Sequence, residues 1–334
     1  MNSYLIIQTA FIGDVVLSTA LIEKIKSNYP DATIDFLVRK GNEQLLSEHP
    51  HIREVLIWNK KKNKYKNLFR LLKKIRQKKY TKVINVQRYL ATGLLTAFSG
   101  AVEKIGFESN PLSFLFDRKI PHNLHSTPVR HEVERNNDLI AHFTDNIFTR
   151  PKLYPSAKDY AVIEPWITPH FLTMSPSSVW PTKRMPLDKW IAFINAVDES
   201  YTIYLLGGKE NIAECETLQR SVNHINIKVL AGELTMLQSA ALMEKAYLNY
   251  AQDSAPLHFC SAVNAPVAAI FCSTDPSLGY TPLADISYII QSHKQLSCKP
   301  CGSHGKKSCP KGHFDCGNTI DTADLTKLLN SSSC

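Results

Sequence analysis

The sequence predicts an α/β protein made of two doubly wound units in tandem. Three observations lead there. Short β-rich runs alternate with segments of helical periodicity through the first hundred residues, the same alternation restarts after residue 170, and a proline-interrupted stretch lies between. At 334 residues the chain exceeds what one hydrophobic core usually organises.

In the first unit, residues 4–8 form a short apolar run, and residues 14–29 place Val15, Leu17, Leu21, Ile22 and Ile25 at helical spacing. Residues 33–38 (TIDFLV), 54–58 (EVLIW) and 82–86 (KVINV) read as strands, with a short helix near 42–47 and a longer one over 60–79. Prolines at 111, 121, 128, 151, 155, 165 and 169 then break the pattern, apart from one helix expected near 130–143. The interdomain boundary is expected near 157–168, giving domains 1–160 and 165–334. In the second unit, residues 171–175, 202–206, 227–230, 247–251 and 266–271 read as strands. Helices are expected at 187–197, 210–222, 236–246 and 255–263, with a cysteine-rich loop and a C-terminal helix after them.

The charge is +9, from 39 Lys+Arg against 30 Asp+Glu, and much of the excess is local. Residues 60–79 (KKKNKYKNLFRLLKKIRQKK) hold eleven Lys/Arg and no acid, while Leu68, Leu71, Leu72 and Ile75 recur at helical spacing. A solvated helix face and a contact with an anionic membrane or acidic lipid-linked substrate both fit this segment. Nucleic acid is not expected, because no helix-turn-helix or aromatic RNA-binding motif accompanies the charge. No apolar run is long enough to span a membrane. The N-terminus carries no basic leader, so a cytoplasmic chain with mostly reduced cysteines is expected.

Four segments carry candidate chemistry. The first strand runs through Gly13 into Asp14 at a helix start, where Asp14 reads either as an N-cap or as a catalytic carboxylate. With one glycine, that turn is neither a dinucleotide fingerprint nor a Walker A loop. After the strand at 171–175, Ser177, Ser178, Lys183 and Arg184 gather hydroxyls and cations suited to a diphosphate, or else form a solvated loop. Glu210 follows Gly207 and Gly208 and could bond a ribose diol. Asp253, Ser254 and Ala255 open a helix that carries His258, and such a helix start offers free amides to phosphate. Cys298, Cys301, Cys309 and Cys316, with His304 and His313 between them, give C-x2-C-x7-C-x6-C, a candidate structural zinc set or a reduced loop. Cys215, Cys260, Cys272 and Cys334 read as ordinary core or tail residues.

Taken in order, TAFIGDVVLSTALIEKIKSNYPDATIDFLV, PSSVWPTKRMP, GELTMLQSAALMEKA and DSAPLHFCSAVNAPVAAIFCST resemble the bacterial ADP-heptose:lipopolysaccharide heptosyltransferases of glycosyltransferase family 9. The resemblance implies a GT-B fold, two Rossmann-like domains facing a central cleft, the first for the acceptor and the second for the nucleotide-sugar. It implies an inverting transfer of heptose from ADP-heptose to a lipid A–core oligosaccharide acceptor, at the inner membrane, with no cofactor required for catalysis. By position, Asp14 resembles the family's general base, Lys183 the cation at sugar and phosphate, Glu210 the ribose ligand and Leu234 the adenine wall. Asp253, Ser254, Ala255 and His258 resemble the diphosphate loop. Ala255 stands where the family has glycine, and Cys272-Ser273-Thr274 where it has Gly-Pro-Thr. A related hexosyl or N-acetylhexosaminyl transferase is the alternative, as is, in a different class, a nucleotide- or zinc-binding interaction module with a basic helix.

Overall fold

The structure is a computed structural model that describes residues 2–330. The chain divides between Tyr154 and Pro155 into two compact units. In the first, the elements run β1 (Ser3–Ile7), α1 (Ile12–Asn28), β2 (Thr33–Arg39), β3 (Ile52–Trp58), α2 (Lys64–Lys78), β4 (Lys82–Asn85), α3 (Leu90–Ala97), β5 (Glu103–Phe107), β6 (Arg118–Ile120) and α4 (Glu132–Asn137). All pairs are parallel and the order is β3-β2-β1-β4-β5-β6. Tyr4, Leu5, Ile6 and Ile7 of the central strand are buried on both faces, as a parallel sheet covered on each side requires.

The second unit repeats this plan. It contains α5 (Ala157–Ile163), β7 (Phe171–Ser175), α6 (Leu187–Asn195), β8 (Thr202–Leu205), α7 (Ile212–Arg220), β9 (Ile227–Val229), α8 (Met236–Lys245), β10 (Leu248–Gln252), α9 (Ala255–Val263), β11 (Val267–Phe271), β12 (Ser287–Gln291), α10 (Asp315–Asn318) and α11 (Thr322–Asn330). Its sheet order, β12-β11-β10-β7-β8-β9, is the first sheet's order read from the other edge. In both sheets the order reverses between the first and fourth strands, which places a ligand crevice beyond the carboxyl ends of β1 and β4 in one unit and of β7 and β10 in the other.

Local sequence explains most boundaries. The α8 helix starts on a capping box in which Thr235 Oγ1 accepts from the Gln238 N–H (3.2 Å) and Gln238 Oε1 accepts from the Thr235 N–H (2.9 Å). The basic helix α2 has no acid in its first turn and is held instead by burial of Leu68, Leu71 and Ile75. Lys78 also bonds Asp35 (2.7 Å), a carboxylate fully buried in β2.

Three expectations need correction. The stretch 157–168, expected as a boundary, is ordered: α5 is capped by Ser156 and packs on α8, so it belongs to the second unit. The helix expected over 130–143 stops at Asn137, where Asn136, Asn137 and Asp138 are poor helix formers, and turns follow. Helix α3 and strands β5, β6 and β12 were absent from the sequence-based reading; β5 and β6 complete the first sheet and β12 the second.

Candidate functional site

At the first crevice the chain leaves β1, turns at 8–11 and enters α1. Phe11 is the N-cap, so Gly13 and Asp14 lie inside the first helical turn, and Asp14 is not the N-cap. Its carboxylate accepts the Phe11 N–H (3.1 Å), which fixes the turn and suits a helix N-terminus. Gln8 holds the same turn from beneath, accepting the Ala10 N–H (3.2 Å) and bonding Gln87 at the end of β4. Both glutamines are buried. Two cations stand beside the turn. The Arg39 guanidinium, at the end of β2, lies 5.1 Å from the Phe11 ring and is electrostatically coupled to Asp14. The Lys60 ammonium donates to the Thr9 carbonyl (2.8 Å). Burial, then repulsion from Arg39 and Lys64, pushes Lys60 down to about 8.

At the second crevice, Lys183 forms an ion pair with Asp253 at the end of β10 (2.6 Å). Thr274 donates to the same Asp253 oxygen (2.6 Å). The Gln252 carboxamide, oriented to satisfy both ends, donates to the Lys183 carbonyl and accepts the Met185 N–H, each at 2.9 Å. The next residue after Asp253, Ser254, is the N-cap of α9, yet its hydroxyl makes no capping bond and is buried without a hydrogen-bond partner. A nine-residue helix whose N-terminus carries an unsatisfied buried hydroxyl beside a Lys–Asp pair fits an anionic ligand. Ala255 is the first residue of that helix, a conformation in which a Cβ costs nothing, so its replacement of glycine brings no strain there. His258 is buried one turn further on, with Tyr280 6.5 Å away between ring centroids.

Other expected site residues stand apart from this group. Ser177 donates to Glu214 of α7 (2.6 Å), which also pairs with Arg184 (3.3 Å), while Arg184 donates to the Ser178 carbonyl (2.7 Å). These contacts brace the loop that carries Ser177, Ser178 and Arg184. Glu210 is exposed in a 3-10 turn after Gly208, and Leu234 is half-buried just before α8.

The cysteine-rich loop touches the site in a way the sequence did not announce. A Cβ on Gly305 would fall 2.6 Å from both Lys183 Cγ and Trp180 Cβ, so only glycine lets the loop lie against the lysine stem. Thr182 ties the two segments, its Oγ1 accepting the Lys306 N–H (2.7 Å) and the Ser273 hydroxyl (3.0 Å). The Cys301 N–H donates to the Ser273 carbonyl (2.8 Å). Among the described residues no group of three or more His, Cys, Asp or Glu side chains is placed to hold a metal ion. Cys298 Sγ lies 3.9 Å from His313 Nε2, and burial, then the neighbouring Cys301, pushes Cys316 up to about 11. Cys215, Cys260 and Cys272 are buried with raised thiols, whereas Cys334 lies outside the described residues.

Residues 68–311 match the family model described as glycosyltransferase family 9 (heptosyltransferase). The chain belongs to glycosyltransferase family 9. It is therefore a glycosyltransferase, and membership favours an enzyme over the interaction-module reading. The chain is 29% identical over 282 residues to lipopolysaccharide heptosyltransferase 3 of Escherichia coli, covering 79% of this chain and 82% of that protein. Among solved structures, the family 9 glycosyltransferase of Veillonella parvula aligns with a TM-score of 0.86 at 18% identity, over 99% of this chain and 96% of that one. The E. coli ADP-heptose lipopolysaccharide heptosyltransferase II aligns with a TM-score of 0.77 at 18% identity, over 99% and 100%. These likenesses establish the two-unit α/β GT-B fold.

Proposed function

We propose that this glycosyltransferase transfers heptose from ADP-heptose to a lipopolysaccharide inner-core acceptor with inversion at the anomeric carbon. The observation that carries the reading is the Lys183–Asp253 pair at the mouth of α9, beside the unsatisfied Ser254 hydroxyl. The first unit takes the acceptor and the second the nucleotide-sugar. Asp14 accepts the proton of an acceptor hydroxyl as that oxygen bonds the anomeric carbon. The bond from that carbon to the diphosphate oxygen breaks, and ADP departs with the electron pair. Lys183 and the α9 amides neutralise the charge that builds on ADP, the work a divalent metal performs in many transferases, so catalysis needs no metal. Glu210 holds the ribose and Leu234 lines the adenine.

The donor assignment draws on the names of relatives, among them lipopolysaccharide heptosyltransferase 3, and on the family description. An acidic acceptor agrees with Arg39 and Lys60 beside Asp14. The enzyme meets its lipid-linked acceptor at an anionic cytoplasmic membrane face through residues 60–79. No helix among the described residues is long and apolar enough to cross a membrane. The test is to incubate the purified protein with ADP-heptose, UDP-glucose or UDP-N-acetylglucosamine and a lipid A–core acceptor. Consumption of ADP-heptose alone is expected. Consumption of a UDP-sugar in its place overturns the donor assignment, and the same turnover for Asp14→Asn as for the unaltered enzyme overturns the role of that carboxylate.

A further inference from the structure

The helix α3 exposes apolar side chains at both ends and buries small polar ones. A surface helix normally turns its apolar stripe inward and its polar residues to water. Here the buried side carries Thr92, Gly93 and Thr96 together with Leu95, and the two threonine hydroxyls are satisfied by the carbonyls of Tyr89 and Thr92 (both 2.9 Å). Leu90 at the helix start (53%) and Phe98 just past its end (47%) are exposed, while Ala91, Leu94 and Ala97 between them are half-buried. From residue 89 to residue 102 the chain has no charged side chain.

The neighbour of α3 supplies what it lacks. The helices α2 and α3 lie side by side, with Leu72, Ala91 and Leu94 packed on a shared core and Arg76 Nη1 donating to the Phe98 carbonyl (3.1 Å). Outward from that seam α2 exposes Tyr65 (69%) and Phe69 (68%), one turn apart. Lys66, Arg70, Lys73 and Arg76 surround them, none of them within ion-pair distance of a carboxylate, whereas Lys74 and Lys78 are engaged with Glu54.

We propose that the joint outer face of α2 and α3 lies on the anionic leaflet of a lipid bilayer, with Phe69, Leu90 and Phe98 entering the acyl boundary and the α2 cations contacting headgroups. The inference rests on the membrane reading above and adds the apolar half of the contact, on an element the charge pattern does not mark. An apolar strip rimmed by cations is the arrangement that binds an interface by burial and by attraction together. A second copy of the chain fits less well, since a two-fold contact would set this basic rim against itself.

The experiment is flotation with vesicles of phosphatidylcholine alone or mixed with phosphatidylglycerol, compared across variants whose circular dichroism and turnover on a delipidated, water-soluble acceptor are unchanged. The unaltered protein is expected to float with the anionic vesicles only. The combined variant Phe69→Ser, Leu90→Ser, Phe98→Ser is expected to bind at least ~10-fold more weakly. In a separate variant, Leu90→Trp, the indole emission is expected to shift to the blue on binding and to be quenched by brominated acyl chains. If Arg70→Glu with Lys73→Glu abolishes binding while the serine variant binds normally, the contact is purely electrostatic: the two-helix inference fails and the reading of residues 60–79 stands. Absence of binding to any vesicle removes both. A stable dimer that Leu90→Ser dissociates would assign the face to a second copy and overturn the inference.

Discussion

Lys183 is compensated within the chain by Asp253, so in the proposed role an arriving diphosphate would compete with that carboxylate for the ammonium. Replacing the lysine leaves the buried Asp253 without its cationic partner. Lys183→Ala is expected to lower turnover about 10³-fold, the scale of losing one electrostatic stabiliser of developing charge, with an unchanged circular dichroism spectrum. Near-normal rates would remove Lys183 from the leaving-group role. Asp14→Asn keeps the acceptor for the Phe11 N–H and removes the proposed base, so kcat should fall about 10²–10⁴-fold while the melting temperature holds. A structural carboxylate makes a separate prediction. Burial alone would raise Asp35, but bonds from Arg53, Lys78 and Tyr80 outweigh it and hold the group below its ordinary value of 3.8. A depressed carboxylate contributes stability that is complete above the unfolded-state value and lost as pH falls through the folded one. Melting temperature should therefore drop below about pH 4 in the unaltered protein, and less steeply in Asp35→Asn. That variant should also lose about 3 kcal/mol at neutral pH, because Arg53 and Lys78 would face a neutral partner.

Among elements, the loop carrying Gly305 bears directly on Lys183. Gly305→Ala must move either the loop or the lysine stem, and Thr182→Val removes the acceptor of the Lys306 N–H. Each is expected to cut kcat up to about 10²-fold with little change in donor KM, and Thr182→Ser should restore the rate, since it keeps the oxygen. Steady-state kinetics of the three variants checks this. That loop also marks how far the sequence could be read. Strands and helices of ordinary patterning were legible because period 2 and period 3.6 each announce a buried face: β7 and α9 begin and end where the apolar runs do. The position of Asp14 followed from the strand-to-helix transition alone. Helix α3 escaped, since it is only eight residues long and its buried side mixes Thr92, Gly93 and Thr96 with Leu95 while Leu90 is exposed, which blurs the signal that periodicity uses. The bond from Ser177 to Glu214 was not legible, because the two residues are 37 apart in sequence. Gly305 and Thr182 were invisible for the same reason, their meaning lying in contacts that only the folded chain creates.

Across the whole molecule, two units with one strand order carry different residues at the same topological position: a carboxylate with flanking cations after β1, and a lysine–aspartate pair with a helix mouth after β7 and β10. If the second unit holds the nucleotide, ADP binds the native state and not the unfolded chain. At a hundred times its Kd it should stabilise by about 2.7 kcal/mol, a rise of about 5–10 °C in the transition of a unit of this size, and UDP at the same concentration should do less. Differential scanning fluorimetry with both nucleotides decides this, and an equal response to UDP would count against adenine selection near Leu234. Neither sheet borrows a strand from the other half of the chain, since β1 to β6 all precede Tyr154. The ribosome can therefore release a first half whose backbone ladder is already complete while the second is still being translated. That ordering spares the slow, long-range pairing of two parallel sheets from having to compete in one tangled intermediate.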